Sequence, residues 1–198
     1  MIILEYHITT PIPKNLIYKL KIGDIVYLNG MIYTGRDEAH IEIIKNKDEN
    51  SKIIEKLKNG VIYHAGPIMR KTSNGWICIA IGPTTSARMN NLEGDFIKIT
   101  NISGIVGKGG MDKKLLPYFK EYGTVYLSAP GGCAALLSNC VKSVNGVYLE
   151  DLGMPESIWE LEVENFGPLI VSMDTNGNSI YENVNNKVMN NLKNMLNG

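Results

Sequence analysis

The apolar run at residues 76–81 (Trp-Ile-Cys-Ile-Ala-Ile) gives way at once to Gly82-Pro83-Thr84-Thr85-Ser86-Ala87-Arg88-Met89, and no other stretch constrains the fold as much. Such a run predicts a buried strand. Gly-Pro punctuates it, and three hydroxyls followed by Ala-Arg-Met predict a helix start. Two similar junctions follow. Gly104-Ile105-Val106-Gly107-Lys108-Gly109-Gly110-Met111 is strand-like, ends in a glycine loop with one lysine, and leads into a helix from Asp112. Ser128-Ala129-Pro130-Gly131-Gly132-Cys133-Ala134-Ala135-Leu136 repeats the order with a helix of small residues. This repetition makes the chain α/β, with a mixed sheet and some layering of β on β.

Segments rich in Ile, Val and Tyr and bounded by Gly, Asn or Pro predict strands at 2–8, 24–29, 61–64, 77–81, 96–100, 123–128, 146–149, 159–166 and 169–173. Helical patterns fit 37–47, 52–58, 86–92, 112–122, 133–140 and 183–196. Asn-Gly at 29–30, 59–60, 74–75, 145–146 and 176–177 predicts five turns. Thr34 and Asp37 have the spacing of a capping box at the start of the first long helix. With 198 residues and no repeat or low-complexity linker, the chain reads as one domain across 1–198.

Twenty basic and twenty acidic residues cancel, so no global field points to nucleic acid or to a membrane surface. The apolar runs are too short to span a bilayer, and the first residues read as a strand rather than a signal peptide. A cytoplasmic location is expected. Cys78, Cys133 and Cys140 form no Cys-x-x-Cys pair and read as small buried hydrophobes, so no metal site is expected on this chain.

Free backbone N–H groups, hydroxyls and a guanidinium at a helix start suit carboxylate or phosphate oxygens. Taken alone, the first junction reads better as an ordinary N-cap, with Thr84 or Thr85 capping and Arg88 on the surface. Its company strengthens the anion reading. Arg36, Arg88 and Lys108 each lie at or near a strand-to-helix loop, and Gly131-Gly132 lets backbone approach a ligand. Arg36 and His40, four apart, share a helix face, which makes His40 a secondary candidate. His7 and His64 fall at strand ends without an identifiable partner. The neighbours of the three cations are small or hydroxylic rather than acidic. Neither a P-loop nor a dinucleotide fingerprint is present. No carboxylate pair, Ser-His-Asp set or metal-ligand cluster is evident, so the chain reads as the binding half of an active site.

Gly35-Arg36-Asp37-x-x-His40, Gly82-Pro83-Thr84-Thr85-Ser86-x-Arg88-Met89, Gly107-Lys108-Gly109-Gly110-Met111 and Gly131-Gly132-Cys133-Ala134-Ala135-Leu136 together resemble the β subunit, or C-terminal domain, of class I iron–sulfur fumarate hydratases. That group is similar to the β subunit of L-tartrate dehydratase. Asp151-Leu152-Gly153-Met154-Pro155-Glu156-Ser157-Ile158-Trp159 resembles its later segment but departs from the family's Gly-Met-Glu-Ala-Ile-Trp through Pro155 and Ser157. The resemblance implies a swivelling β/β/α domain and an α subunit on a separate chain, in an α2β2 assembly. That α subunit carries a four-iron four-sulfur cluster with one iron acting as a Lewis acid. It also implies reversible hydration of fumarate to L-malate, with the same chemistry on tartrate as the alternative. A non-catalytic anion-binding module is a third reading. In the hydratase, Arg36, Arg88 and Lys108 hold the dicarboxylate, Thr84 removes the proton, Thr85 and Ser86 donate hydrogen bonds, and Gly131 and Gly132 border the substrate.

Overall fold

The structure, a computed structural model, describes residues 3–196. Strands β1 (Glu5–Thr10), β2 (Ile25–Thr34), β3 (Val61–Tyr63), β6 (Gly104–Gly107) and β7 (Val125–Ser128) run parallel in the order β1-β2-β3-β6-β7. Helices α2 (Asp37–Lys45), α3 (Ser51–Leu57), α4 (Glu93–Thr100) and α5 (Leu116–Tyr122) make the crossovers between the successive strands from β2 to β7. Strand β9 (Ile158–Met173) is antiparallel to both β7 and β2, so β2, β3, β6, β7 and β9 close into a five-stranded mixed ring. Strand β8 (Val141–Tyr148) adds to β9, and β4 (Ile68–Thr72) with β5 (Gly75–Ala80) forms a separate hairpin. Short helices α1 (Lys14–Ile17) and α6 (Ala134–Ser138) and the terminal α7 (Ile180–Leu196) complete the chain.

Alternation along the strands divides the core in two. Val61, Tyr63, Val106, Val125, Leu127, Leu161 and Val163 belong to one buried cluster, inside the ring. Tyr33, Ile62, Ile105 and Tyr126 point the other way and pack with Ile43, Leu57, Phe96, Ile97 and Phe119 of the surrounding helices. Both faces of the parallel strands are therefore covered, as parallel sheets require.

The α/β class and the mixed sheet are as the sequence predicts, while several elements differ. Residues 96–100 lie in helix α4, not in a strand, because Glu93, Phe96, Ile97 and Thr100 bury one helical face. The predicted helix at 86–92 is a short 3-10 turn, Ser86–Met89, preceding α4. Asn29-Gly30 and Asn145-Gly146 fall inside β2 and β8 at register shifts, as bulges that bend the strands. Gly30 has φ of +87°, and a Cβ there would approach the Thr10 carbonyl to 3.0 Å. The segments at 159–166 and 169–173 are one strand, and the predicted first strand begins at Glu5, with residue 2 outside the described residues. Thr34 caps no helix, because its hydroxyl donates to the Ser157 carbonyl and accepts from the Trp159 N–H, tying β2 to β9. No helix among the described residues is long and apolar enough to cross a membrane.

Lys14 ties two helix ends to this ring. Its ammonium donates to the carbonyls of Asn101 (3.2 Å), Ile102 (3.3 Å) and Gly123 (3.1 Å), at the left-handed C-caps of α4 and α5. Lys14→Met leaves the buried Gly123 carbonyl without its donor, while Asn101 and Ile102 keep the Asn59 N–H and the Thr124 hydroxyl, and should lower the unfolding free energy by about 1–2 kcal/mol. Urea denaturation of the two chains measures the difference, and an unchanged midpoint would reject the cap.

Candidate functional site

Register puts the candidate residues on one rim. Thr34 pairs with Tyr63, Tyr63 with Val106, and Gly107 with Ser128, so β2, β3, β6 and β7 end at the same level. The chain just beyond those ends carries Arg36, His64, Lys108 and Gly131. Ligand sites of open α/β sheets lie at the carboxyl ends of the parallel strands for this reason.

The segment from Pro83 to Ser86 is laid across the rim by backbone pairing. Pro83 bridges Ala65, and Thr85 bridges Lys108. The Thr84 N–H donates to the His64 carbonyl at 2.7 Å, the Lys108 N–H to the Thr84 carbonyl at 3.3 Å, and the Ser86 N–H to the Lys108 carbonyl at 3.1 Å. Thr84 is half-buried and Thr85 exposed. Gly110 holds the glycine loop close to α7, since at φ of +74° an added Cβ would strike the Tyr181 ring.

The two arginines are already paired. Arg88 grips Asp37 with Nε at 2.9 Å and Nη2 at 2.6 Å, and Arg36 Nη2 lies 3.1 Å from Glu156. The expectation that no acidic residue neighbours these cations is therefore corrected. Asp37 follows Arg36 directly, and Glu156 comes from the loop before β9, over a hundred residues away. Lys108 makes no ion pair among the described residues. Gly131 and Gly132 are exposed and open, with nothing within 4 Å of a Cβ at either.

Two expected site residues turn inward. Ser86 is wholly buried, accepts a hydrogen bond from the Tyr126 hydroxyl at 2.9 Å and lies 2.9 Å from His64 Nδ1, so it cannot meet a ligand on the rim. His40 is wholly buried too: its Nδ1 is 2.7 Å from the Arg36 carbonyl and its ring packs on Phe96 at 4.1 Å. Between them sits Glu93, at zero exposure, with Oε2 3.3 Å from His64 Nε2 and 3.5 Å from His40 Nε2. Ser86, His64 and Glu93 thus form a Ser-His-Glu set that the sequence reading lacked. Glu93 escaped notice because the residues after it read as a strand. As the first residue of a helix it shares a face with Phe96, Ile97 and Thr100.

Burial alone would push the Glu93 carboxyl up, but the two imidazoles beside it outweigh that and hold it well below the usual carboxylate range. Burial pushes the His64 imidazole down, so it stays neutral. Both shifts have one sign. The unfolded chain takes up protons that the folded chain refuses, at His64 below about pH 6.5 and at Glu93 below about pH 4.3. The melting temperature should fall as the pH drops from 6.5 to 4. Calorimetry across that range checks this, and stabilisation on acidification would contradict it.

Among the described residues, His40, His64 and Glu93 are the only group of three or more His, Cys, Asp or Glu side chains close enough to hold a metal ion. The cysteines do not gather: Cys133 Sγ donates to the Pro130 carbonyl and Cys140 Sγ to the Asn165 carbonyl, while burial raises the Cys78 thiol to about 11. They do not fit an iron–sulfur cluster.

A rim of cations and hydroxyls at the ends of parallel strands is what this chain offers a ligand, and residues 4–184 match the fumarase C-terminus family, to which the chain belongs. A Methanocaldococcus jannaschii protein provisionally named L(+)-tartrate dehydratase subunit beta is 63% identical over 184 residues, covering 92% of this chain and 94% of that one. The L(+)-tartrate dehydratase subunit beta of Escherichia coli K12 is 40% identical over 173 residues, 87% of this chain and 85% of that one. A Geobacillus stearothermophilus protein provisionally named class I fumarate hydratase is 43% identical over 175 residues, 88% of this chain but 33% of that longer protein.

Proposed function

We propose that this chain is the β subunit of a hydro-lyase acting on a C4 dicarboxylate, with L-tartrate as the leading substrate. The observation that carries the reading is the rim, where parallel strand ends gather Arg36, Arg88, Lys108 and Thr84 on one uncovered face. The 63% identity to a chain named for tartrate dehydratase supports tartrate over the fumarate expected from the sequence. Fumarate stands second, supported by the 43% identity to a chain named for fumarate hydratase. On this reading the residues form one domain of the swivelling β/β/α type, paired as α2β2 with an α subunit that brings the four-iron four-sulfur cluster.

The chemistry assigned to this chain is binding and proton transfer. Arg36, Arg88 and Lys108 neutralise the two carboxylates, and Thr85 and the open backbone at Gly131 and Gly132 line their approach. Thr84 accepts the C3 proton as the C2 hydroxyl, protonated by an acid from the α subunit, leaves as water, and the enol so formed tautomerises to oxaloacetate. A threonine hydroxyl is a weak base at neutral pH, so it needs neighbouring cations to stabilise its alkoxide. Lys108 is bonded to it through the backbone, and among the described residues no carboxylate pairs with the Lys108 ammonium.

Anaerobic co-expression with an α subunit, followed by assays of tartrate dehydration and fumarate hydration, tests the reading. Faster turnover of tartrate is expected. Faster turnover of fumarate would move the substrate to the second reading, and turnover of neither would favour a non-catalytic module. Arg88→Met and Lys108→Met should each lower kcat/KM about 100-fold, the loss of one strong charge-assisted contact. Thr84→Val should lower kcat with little change in KM, and near-normal turnover would remove Thr84 from proton transfer.

A further inference from the structure

His40, His64 and Glu93 come from three separate elements (helix α2, the residue after β3, and the first turn of α4), and all three are wholly buried. Hydrogen-bond logic fixes where their protons are. A carbonyl can only accept, so His40 Nδ1, 2.7 Å from the Arg36 carbonyl, carries a hydrogen. Ser86 Oγ accepts from Tyr126 and keeps its own hydrogen to donate to His64 Nδ1, the arrangement that leaves the His64 hydrogen on Nε2, where it meets the Glu93 carboxylate.

One contact is left. His40 Nε2 lies 3.5 Å from Glu93 Oε2 and has no other hydrogen-bond partner, while Oε2 also lies 3.3 Å from His64 Nε2. Without a proton there, a bare lone pair would face a carboxylate in a site closed to water. An unpaired buried carboxylate is among the most costly arrangements in a protein. The cluster therefore holds one proton more than a carboxylate and two neutral rings. Other charged or titratable groups facing it are Asp37 on α2, held by Arg88, and Tyr126 on β7.

The outer nitrogens show what this proton does. His40 grips the carbonyl of Arg36, at the N-cap of α2. His64 grips the 84–86 turn twice, by its ring at Ser86 and by its carbonyl at the Thr84 N–H. We propose that His40, Glu93 and His64 are positioning residues that share one buried proton and through it hold Arg36 and the Thr84-Thr85-Ser86 turn in place for the reaction at the rim. The proposal rests on the hydro-lyase reading for its effect on turnover but not for the proton itself.

Two measurements test it. The chain has three histidines, and exposed His7 serves as an internal standard for imidazole nitrogen-15 spectra of the full chain. The expected spectra show His64 neutral with hydrogen on Nε2 and His40 with hydrogen on both nitrogens. Glu93→Gln should remove the extra His40 proton, and the shorter acid in Glu93→Asp should retain it. A His40 ring with bare Nε2 in the wild type would overturn the proposal. So would a stoichiometric divalent metal ion found by elemental analysis with both Nε2 atoms bound to it.

In the complex with its α subunit, His40→Gln should raise KM about 10-fold at near-normal kcat, while His64→Gln should lower kcat about 10-fold or more at near-normal KM. Glu93→Asp should retain more activity than Glu93→Gln. A fall in kcat at constant KM in every variant would mean only a loss of folded enzyme, and would overturn the positioning role. If the wild-type complex turned over neither substrate, the hydro-lyase reading and the role in turnover would fall together, while the spectra would still decide the shared proton.

Discussion

Strand β9 pairs along its sixteen residues with β2, β7 and β8, and its antiparallel bonds to β2 and β7 turn an open parallel sheet into a ring. Closure places an inner apolar cluster where one face of the sheet would otherwise need another layer, and it fixes the strand ends relative to one another. The common level of Thr34, Tyr63, Val106 and Leu127 is a consequence. The hydroxyl of Thr34 serves this closure, bonding β9 on both its donor and acceptor sides. Buried on the ring, it could not have capped a helix.

Beneath the rim, the polar centre is as buried as the apolar clusters around it. Glu93, His40 and His64 are surrounded by Phe96, Tyr126 and the turn at Ser86, and each imidazole spends its outer nitrogen on a segment that also reaches the surface. A low-dielectric surrounding makes such a set costly when incomplete and stiff when complete. The rim residues thus stand on a hydrogen-bonded base as well as on the strand ends.

The junctions that carry the proposed anion site were legible in the sequence because strand ends, glycines and helix starts are local signals. Arg36, Arg88, Lys108 and Thr84 all fall where those signals put them. What was hidden depended on distance along the chain. Glu156 reaches Arg36 from 120 residues away, and the partner of His64 lies behind a helix that looked like a strand because Phe-Ile-Lys-Ile alternates as a strand does. Only the burial of Gly94, Phe96, Ile97 and Thr100 on one side reveals the helical period. Asn-Gly at 29–30 and 145–146 falls at bulges, and at Gly30 the positive φ that suits a turn bends a strand instead of reversing it.

The pairing of Arg88 with Asp37 and of Arg36 with Glu156 also changes what it means for an anion to arrive. On the proposed reading, docking there is an exchange in which an incoming carboxylate takes the place of a resident one. Such an exchange returns less free energy than capture by two unpaired guanidiniums, so it tempers affinity at this rim and makes binding less responsive to ionic strength than three bare cations would be.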